Sequence, residues 1–190
     1  MAVKRAVICA SPHAGGTCAQ ACDAAVRALS VAYPDDTIHV FSLANATLDG
    51  CIGCDQCRTS YECFHQDDMT RVFALLDEAD ELYLASPIYF AGPPAQFKAL
   101  LDRLQPRFWQ WLDTPRDERP AKRPVRMLAV GAGGDPHGFE PLVVSARSAL
   151  AVARFEITHV EASIADDALS HVSAWLGVSC TESGEVHGLG

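Results

Sequence analysis

Four cysteines stand close together in one stretch of the chain: Cys51, Cys54, Cys57 and Cys63. The first three follow a CxxCxxC spacing, and five residues separate the third from the fourth. Three thiolates at three-residue steps are typical of the compact loops that wrap a [4Fe-4S] cluster. Zinc usually takes two separated pairs of ligands, so the spacing favours zinc less. The run predicts a cluster-binding loop, and a metal-free set of structural cysteines stays open as the alternative.

A second kind of chemistry is offered by the loop at residues 11–18. Ser11 and Thr17 supply hydroxyl groups, the residues between them are mostly small, and a helix is expected to begin here. Backbone N–H groups at the start of a helix can hold a phosphate. Thr17 follows Gly16 where a Walker A loop requires lysine, and the dinucleotide-binding glycine pattern is absent from the sequence. The loop therefore predicts a phosphate site of another type, with an ordinary strand-to-helix turn as the alternative.

Residues 87–94 and 131–134 form two further candidate ligand loops. Prolines stiffen the first of them, and Tyr89 and Phe90 supply aromatic planes that can pack on a flat heterocycle. The alternative for these aromatic side chains is that they cover the edge of their own domain. The second loop is rich in glycine, so its backbone can approach a ligand closely.

The elements that must position these loops follow from the pattern of apolar residues. Short apolar runs predict strands, and apolar residues at helical spacing predict helices between them. Strict alternation of the two predicts an α/β fold with a five-stranded parallel sheet and helices on both faces. Ligands bind such sheets beyond the carboxyl ends of the strands, where the strand order reverses. The predicted strands are 5–10, 37–43, 81–86, 125–130 and 156–162, and the predicted helices lie near 18–29, 69–76, 97–104 and 141–152.

A chain of 190 residues is long enough for one α/β domain and short for two. We therefore expect residues 1–190 to form a single domain. Residues 45–66, which carry the four cysteines, are interpreted as a long irregular loop with a function. Residues 105–124 are polar, rich in arginine and proline, contain Trp109 and Trp111, and are interpreted as an insertion.

Charge and composition restrict the partners. The formal charge of −9 gives no basic face for nucleic acid or for an anionic membrane, so neither is expected as a partner. The basic start and the short apolar run after it are interpreted as a first strand, not as a secretory signal. Eight cysteines without an export signal favour a reducing compartment, and the cytoplasm is the expected location. We expect a small-molecule partner and a homodimer or homotetramer.

Three motifs in this order resemble a known family. They are the loop from Ser11 to Thr17, the cysteine run continuing to Asp67-Asp68-Met69, and Ser86-Pro87-Ile88-Tyr89-Phe90 followed by Lys98 and Asp102-Arg103. Together they are similar to the NAD(P)H-dependent FMN reductases and iron-sulfur flavoproteins. The resemblance implies a flavodoxin-like three-layer sandwich, FMN as cofactor, NAD(P)H as co-substrate and a candidate [4Fe-4S] cluster on the four cysteines.

The resemblance also implies roles for single residues. Family members usually have arginine or lysine where this chain has His13-Ala14, and Asn-Thr where it has Thr17-Cys18. The expected phosphate contacts are Ser11, His13, Gly16, Thr17 and Cys18; Pro87, Ile88, Tyr89, Phe90 and Ala91 would border the isoalloxazine ring, and Gly131, Gly133 and Gly134 would close its other side.

The implied activity is transfer of hydride from NAD(P)H to the flavin and of electrons onward to a quinone, flavin, aromatic or iron-sulfur acceptor. The cofactor carries that chemistry, so we name no catalytic side chain. A flavodoxin-like electron carrier without turnover and a cysteine-rich metal-binding or redox-sensing module without flavin are the alternatives.

Overall fold

The centre of the protein is a parallel sheet of five strands, seen in a computed structural model that describes residues 2–180 and 186–188. The first and third strands are apolar runs buried by helices, with all five central residues of the third buried, whereas the second strand, at an edge of the sheet, has only one buried residue. The strands are β1 (Lys4–Cys9), β2 (Thr37–Ser42), β3 (Glu81–Pro87), β4 (Arg123–Gly131) and β5 (Phe155–Ile164). They pair in the order β2-β1-β3-β4-β5, so the predicted five-stranded parallel sheet is confirmed.

Helices cover both faces of this sheet and bury a separate core on each. One core includes Leu76, Phe97 and Leu150, and the other includes Leu29 and the large indole of Trp175. The predicted flavodoxin-like three-layer arrangement is therefore confirmed. The helices are α1 (Thr17–Ala32), α2 (Cys57–Ser60), α3 (Met69–Glu78), α4 (Ala95–Asp102), α5 (Gln105–Asp113), α6 (Glu140–Val152) and α7 (Val172–Leu176), with short 3₁₀ turns at Leu43–Asn45, Arg116–Glu118 and Ala168–His171.

Two segments differ from the sequence analysis. The stretch interpreted as an insertion begins with α5, because Pro106 sits in the first turn of a helix, where its missing N–H is not needed. Beyond β5, where we predicted no further element, the chain adds α7 and an antiparallel pair of short strands, β6 (Val178–Cys180) and β7 (Val186–Gly188). Residues 1, 181–185 and 189–190, which the single-domain prediction includes, lie outside the described residues.

The strand order reverses between β1 and β3, which lie side by side. From β1 the chain first moves outward to β2 and then returns to the other side to build β3, β4 and β5. The loops that leave β1, β3 and β4 therefore meet at the carboxyl edge of the sheet, where this fold binds ligands. None of the described helices is long and apolar enough to cross a membrane.

Candidate functional site

The loop after β1 presents the open start of a long helix. Gly16 is the N-cap of α1, a helix of 16 residues, and no side chain caps its first turn. No acidic residue stands in that turn either. The first N–H groups of a helix carry partial positive charge and need acceptors. Uncapped and free of carboxylates, this helix start can accept an anion such as a phosphate.

Side chains of the same loop are arranged around that helix start. Thr17 is the first residue of α1 and its side chain is exposed. Ser11 is buried, and its hydroxyl accepts a hydrogen bond from the backbone N–H of His13 at 3.1 Å. The imidazole of His13 lies over Gly16, so closely that a Cβ on Gly16 would stand 2.6 Å from Nδ1. These four residues, which the sequence analysis expects at the phosphate, are gathered at the start of α1.

Cys18 is the member of that expected set whose side chain points elsewhere. It is 3% exposed and packs with Cys9 and Cys22 in the core beneath α1. Burial raises the pKa of the Cys18 thiol to about 12, since a thiolate in the core would lose its hydration. The thiol therefore contributes to the core, and the group that Cys18 can offer a phosphate is its backbone N–H.

The loop after β3 holds an exposed aromatic side chain in a strained backbone. Tyr89 and Gly92 exchange two backbone hydrogen bonds of 3.0 Å, which close a tight turn. Within it Phe90 and Ala91 have φ values of 50° and 60°, where residues with a Cβ are uncommon. Phe90 is completely exposed. Strain of this kind is concentrated at binding sites, where the fold holds a side chain towards a ligand.

The loop after β4 completes a groove beside this turn. Ile88 donates its N–H to the carbonyl of Val130 at 2.8 Å, which joins the two loops at their start. Gly133 and Gly134 have φ values of 80° and 85°, so the turn requires residues without a Cβ. The groove has a volume of about 280 Å³. Its lining includes six residues expected at the flavin ring, Ile88, Phe90, Ala91, Gly131, Gly133 and Gly134, together with Phe139 and Ile164.

The four cysteines line a different cavity, of about 260 Å³, which we call the cysteine cavity. Cys51 and Cys54 are exposed, whereas Cys57 and Cys63 are partly buried. Gly53 and Asp55 have φ values of 67° and 58°, so the chain turns sharply between the first three cysteines. The cysteine cavity shares no lining residue with the groove beside Phe90. The sequence-predicted ligand set is thus collected in one place, separate from the other candidate site.

Helix α5 and the turn before it form the opposite wall of the cysteine cavity. Trp109 lines it and lies 5.0 Å from the guanidinium of Arg58, which belongs to the cysteine loop. The hydroxyl of Tyr61 donates to Asp113 at 2.8 Å. The segment interpreted as an insertion is therefore the platform on which the cysteine loop rests.

A buried ion pair fixes the base of this loop. Arg103 is 1% exposed, and two of its nitrogens bind the Asp67 carboxylate at 2.6 and 3.0 Å. The first of these nitrogens also donates to the carbonyl of Asp49 at 2.8 Å. The pair joins the start of α3 to the end of α4. Arg103 also lines the cysteine cavity, which the sequence analysis did not predict because 39 residues separate it from Cys63.

The donor set of this cavity fits a cluster better than a single ion. Among the described residues, only Asp49, His65 and Asp67 form a group of three potential ligands mutually within 4.8 Å. A tetrahedral zinc with thiolates at about 2.3 Å would bring its sulfurs to about 3.8 Å from one another. Cysteine sulfurs more widely spread around a cavity suit a larger group. Asp67 itself is engaged by Arg103, so the aspartate and histidine group offers no free ligand set.

The protonation of Cys57 is shifted by its surroundings in the cavity. Burial and the nearby Cys63, Cys51 and Cys54 raise the pKa of the Cys57 thiol, although a backbone N–H works in the opposite direction. Metal ligation requires thiolates, so binding at this cavity would release protons and strengthen as the pH rises.

Known proteins resemble this chain in sequence. A family model described as NADPH-dependent FMN reductase matches residues 3–168. An iron-sulfur flavoprotein of Methanocaldococcus jannaschii is 43% identical over 65 residues, which are 34% of this chain and 34% of that protein. An iron-sulfur flavoprotein of Archaeoglobus fulgidus is 32% identical over 105 residues, 55% of this chain and 46% of that protein. The matches thus span about a third and about half of these two relatives.

Solved structures share the fold at low sequence identity. An NAD(P)H:quinone oxidoreductase from Methanothermobacter marburgensis aligns with a TM-score of 0.63 and 16% identity, covering 93% of this chain and 96% of that one. An FMN-dependent NADH-azoreductase from Bacillus anthracis, solved in complex with FMN, aligns with a TM-score of 0.60 and 10% identity, covering 93% and 94%. At such low sequence identity, these structures show only that the fold is shared.

Proposed function

We propose, because the chain belongs to the NADPH-dependent FMN reductase family, that it binds FMN at the reversal point of its sheet and reduces it with NAD(P)H. The observation that carries the proposal is the uncapped start of α1, which lies at the same edge of the sheet as the groove beside Phe90. A phosphate and a flat ring would each find a suited surface there. FMN would supply the hydride-accepting ring.

The protein's own residues would bind and orient this cofactor. The N–H groups that open α1 would bind the phosphate, together with the Thr17 hydroxyl and the imidazole of His13. The hydroxyl of Ser11 stabilises the loop by accepting a hydrogen bond from the backbone N–H of His13. Phe90 and the glycine loop after β4 would border the ring, and Phe90 can cover it because the strained turn holds its side chain outward. No acid or base is required of any side chain.

Titration of FMN and FAD into the protein tests this proposal. We expect binding of about one FMN at micromolar concentration or below, where a specific cofactor site should bind, with weaker binding of FAD. Visible absorbance and flavin fluorescence report binding, and NAD(P)H oxidation at 340 nm reports reduction. No FMN binding at this concentration would overturn the proposed site. A preference for FAD would show that the helix start does not receive a terminal phosphate.

We expect Thr17→Val to weaken FMN binding and to leave riboflavin binding nearly unchanged. The hydroxyl should donate to the phosphate, which riboflavin lacks, and a hydrogen bond to a charged group contributes about 1.5–3 kcal/mol. The dissociation constant for FMN should therefore rise by roughly 10- to 150-fold. Thr17→Ser, which keeps the hydroxyl, is the matched control. Equal losses for FMN and riboflavin would move Thr17 away from the phosphate.

A second function, a [4Fe-4S] cluster on the four cysteines, is supported by the cysteine cavity. Cys51, Cys54, Cys57 and Cys63 all line it, and relatives of this chain are named iron-sulfur flavoproteins. These thiolates would ligate the cluster, and the cluster would supply one-electron transfer to or from the flavin. Protein purified without oxygen should then contain about four iron and four acid-labile sulfide per chain. Zinc without sulfide would contradict the cluster.

The electron acceptor is proposed as a quinone, a flavin, an aromatic compound or an iron-sulfur centre. Steady-state oxidation of NAD(P)H with each acceptor class separates a reductase from an electron carrier that has no turnover of its own. The cytoplasmic location and the homodimeric or homotetrameric state stay predictions.

A further inference from the structure

The guanidinium of Arg103 has one nitrogen that the ion pair with Asp67 does not use. Its two terminal nitrogens bind the Asp67 carboxylate, and one of them also binds the Asp49 carbonyl. The third nitrogen, Nε, is buried and has no hydrogen-bond partner among the described residues. Buried N–H groups are almost always paired, because an unpaired one loses its bond to water without compensation. An unpaired Nε on a side chain that is 1% exposed therefore indicates a missing acceptor.

The cysteine cavity is where such an acceptor would lie. Arg103 lines it together with all four cysteines. A second buried nitrogen without a partner, Nε2 of His65, borders the same cavity. Two buried nitrogens without a hydrogen-bond partner among the described residues therefore belong to residues that line the cysteine cavity.

We infer that the Nε–H of Arg103 donates a hydrogen bond to a sulfur of the [4Fe-4S] cluster or of its ligand Cys63, and that Arg103 thereby raises the reduction potential of the cluster. The inference rests on the cluster proposed above. A thiolate-ligated cluster gains negative charge when it is reduced. A buried cation and an N–H donor beside its sulfurs stabilise the reduced form more than the oxidised form. Arg103 would then both anchor the loop and set the driving force for electron transfer.

The competing explanation is that Arg103 only holds the loop in shape through Asp67. The two explanations predict different changes in the reduction potential of the cluster when one charge of the pair is removed. If Arg103 acts on the cluster directly, removing its donor should lower the potential, whereas removing the compensating charge of Asp67 should raise it. If the pair only holds the loop, both changes should disturb the loop in the same way.

We expect Arg103→Lys to keep the cluster and to make its reduction about tenfold less favourable. Lysine keeps the positive charge near Asp67 but lacks the planar fork that presents Nε to the cavity. For a one-electron couple a tenfold change corresponds to a shift of about 59 mV, here towards more negative potential. The readout is a spectroelectrochemical titration of anaerobically purified protein, with iron and sulfide measured on each sample. The flavin potential of the same sample should stay unchanged.

Arg123→Lys is the matched control. Arg123 also has a buried Nε without a partner, and it binds backbone carbonyls such as those of Leu76 and Ala79. It does not line the cysteine cavity. Its replacement should leave the cluster potential where it is, and a shift equal to that of Arg103→Lys would contradict a direct contact.

Asp67→Asn tests the charge of the pair, and does so even if Arg103→Lys fails to assemble a cluster. It keeps Arg103 in place and removes the compensating negative charge, so the cluster potential should rise. An unchanged or lower potential in Asp67→Asn would overturn the inference, as would an unchanged potential in a loaded Arg103→Lys. Wild-type protein with FMN but without iron and sulfide would instead overturn the proposed cluster, and the inference with it.

Discussion

The variant Cys54→Ser is expected to purify with FMN but without iron or sulfide. Cys54 is the middle ligand of the CxxCxxC run and lines the cysteine cavity. A serine hydroxyl is a harder and more weakly ionised ligand than a thiolate, so it should not replace the thiolate on iron. Anaerobic purification followed by iron, sulfide and flavin assays on one sample measures the result. The broad visible absorbance of the cluster should vanish, leaving the flavin bands.

We expect the cluster to be lost without loss of FMN, because the two sites are lined by different residues. The groove beside Phe90 is built mainly by the loops after β3 and β4, and the cysteine cavity by residues 51–57 and 63–65 together with the turn before α5 and α5 itself. Cys22→Ala is a control for the general effect of removing a thiol, since Cys22 is buried in the core beneath α1. It should keep both cofactors. Loss of FMN together with the cluster in Cys54→Ser would mean that the long loop also builds the flavin site.

The strands were predictable because short apolar runs alternate with segments of helical spacing. A run such as Leu82 to Ala85, bounded by polar and proline residues, predicts a buried strand, and its alternation with helices indicates a parallel sheet covered by helices. Once the alternation of strands and helices is accepted, the loops that follow β1, β3 and β4 must share one edge. The positions of Ser11, Thr17 and Gly133 at that edge follow from this topology, before any side-chain contact is known.

Two features of the candidate sites could not be predicted from the sequence, for different reasons. Cys18 lies both in the expected phosphate loop and on the inward stripe of α1, and only packing decides that its thiol enters the core. Arg103 and Trp109 line the cysteine cavity although they are far from Cys63 in the sequence, and no local spacing connects them to it. Periodicity reports neighbours within an element, whereas contacts between elements depend on how the elements dock.

Arg103→Leu is expected to lower the free energy of unfolding by about 3–5 kcal/mol, the usual effect of leaving one partner of a buried ion pair alone. Asp67 is 5% exposed in its side chain and would lose both charged hydrogen bonds. Urea unfolding followed by far-UV circular dichroism measures the change. Lys98→Leu is the matched control, because Lys98 and Asp102 are also 2.6 Å apart but about half exposed. Exposed pairs contribute about 0–1 kcal/mol.

The double variant Arg103→Leu/Asp67→Leu and the pH dependence identify the cause of this loss. Removing both charges should recover part of the stability, since no buried charge is then left without its partner. Burial acts to raise the pKa of Asp67, but the hydrogen bond from Arg103 and two backbone N–H groups lower it overall. The stabilisation is therefore complete above the unfolded carboxyl pKa of about 3.9 and disappears as the pH falls through the lower folded value. The difference between wild type and Arg103→Leu should shrink in the same range, and a difference that stays constant from pH 7 to pH 2 would contradict an ionic origin.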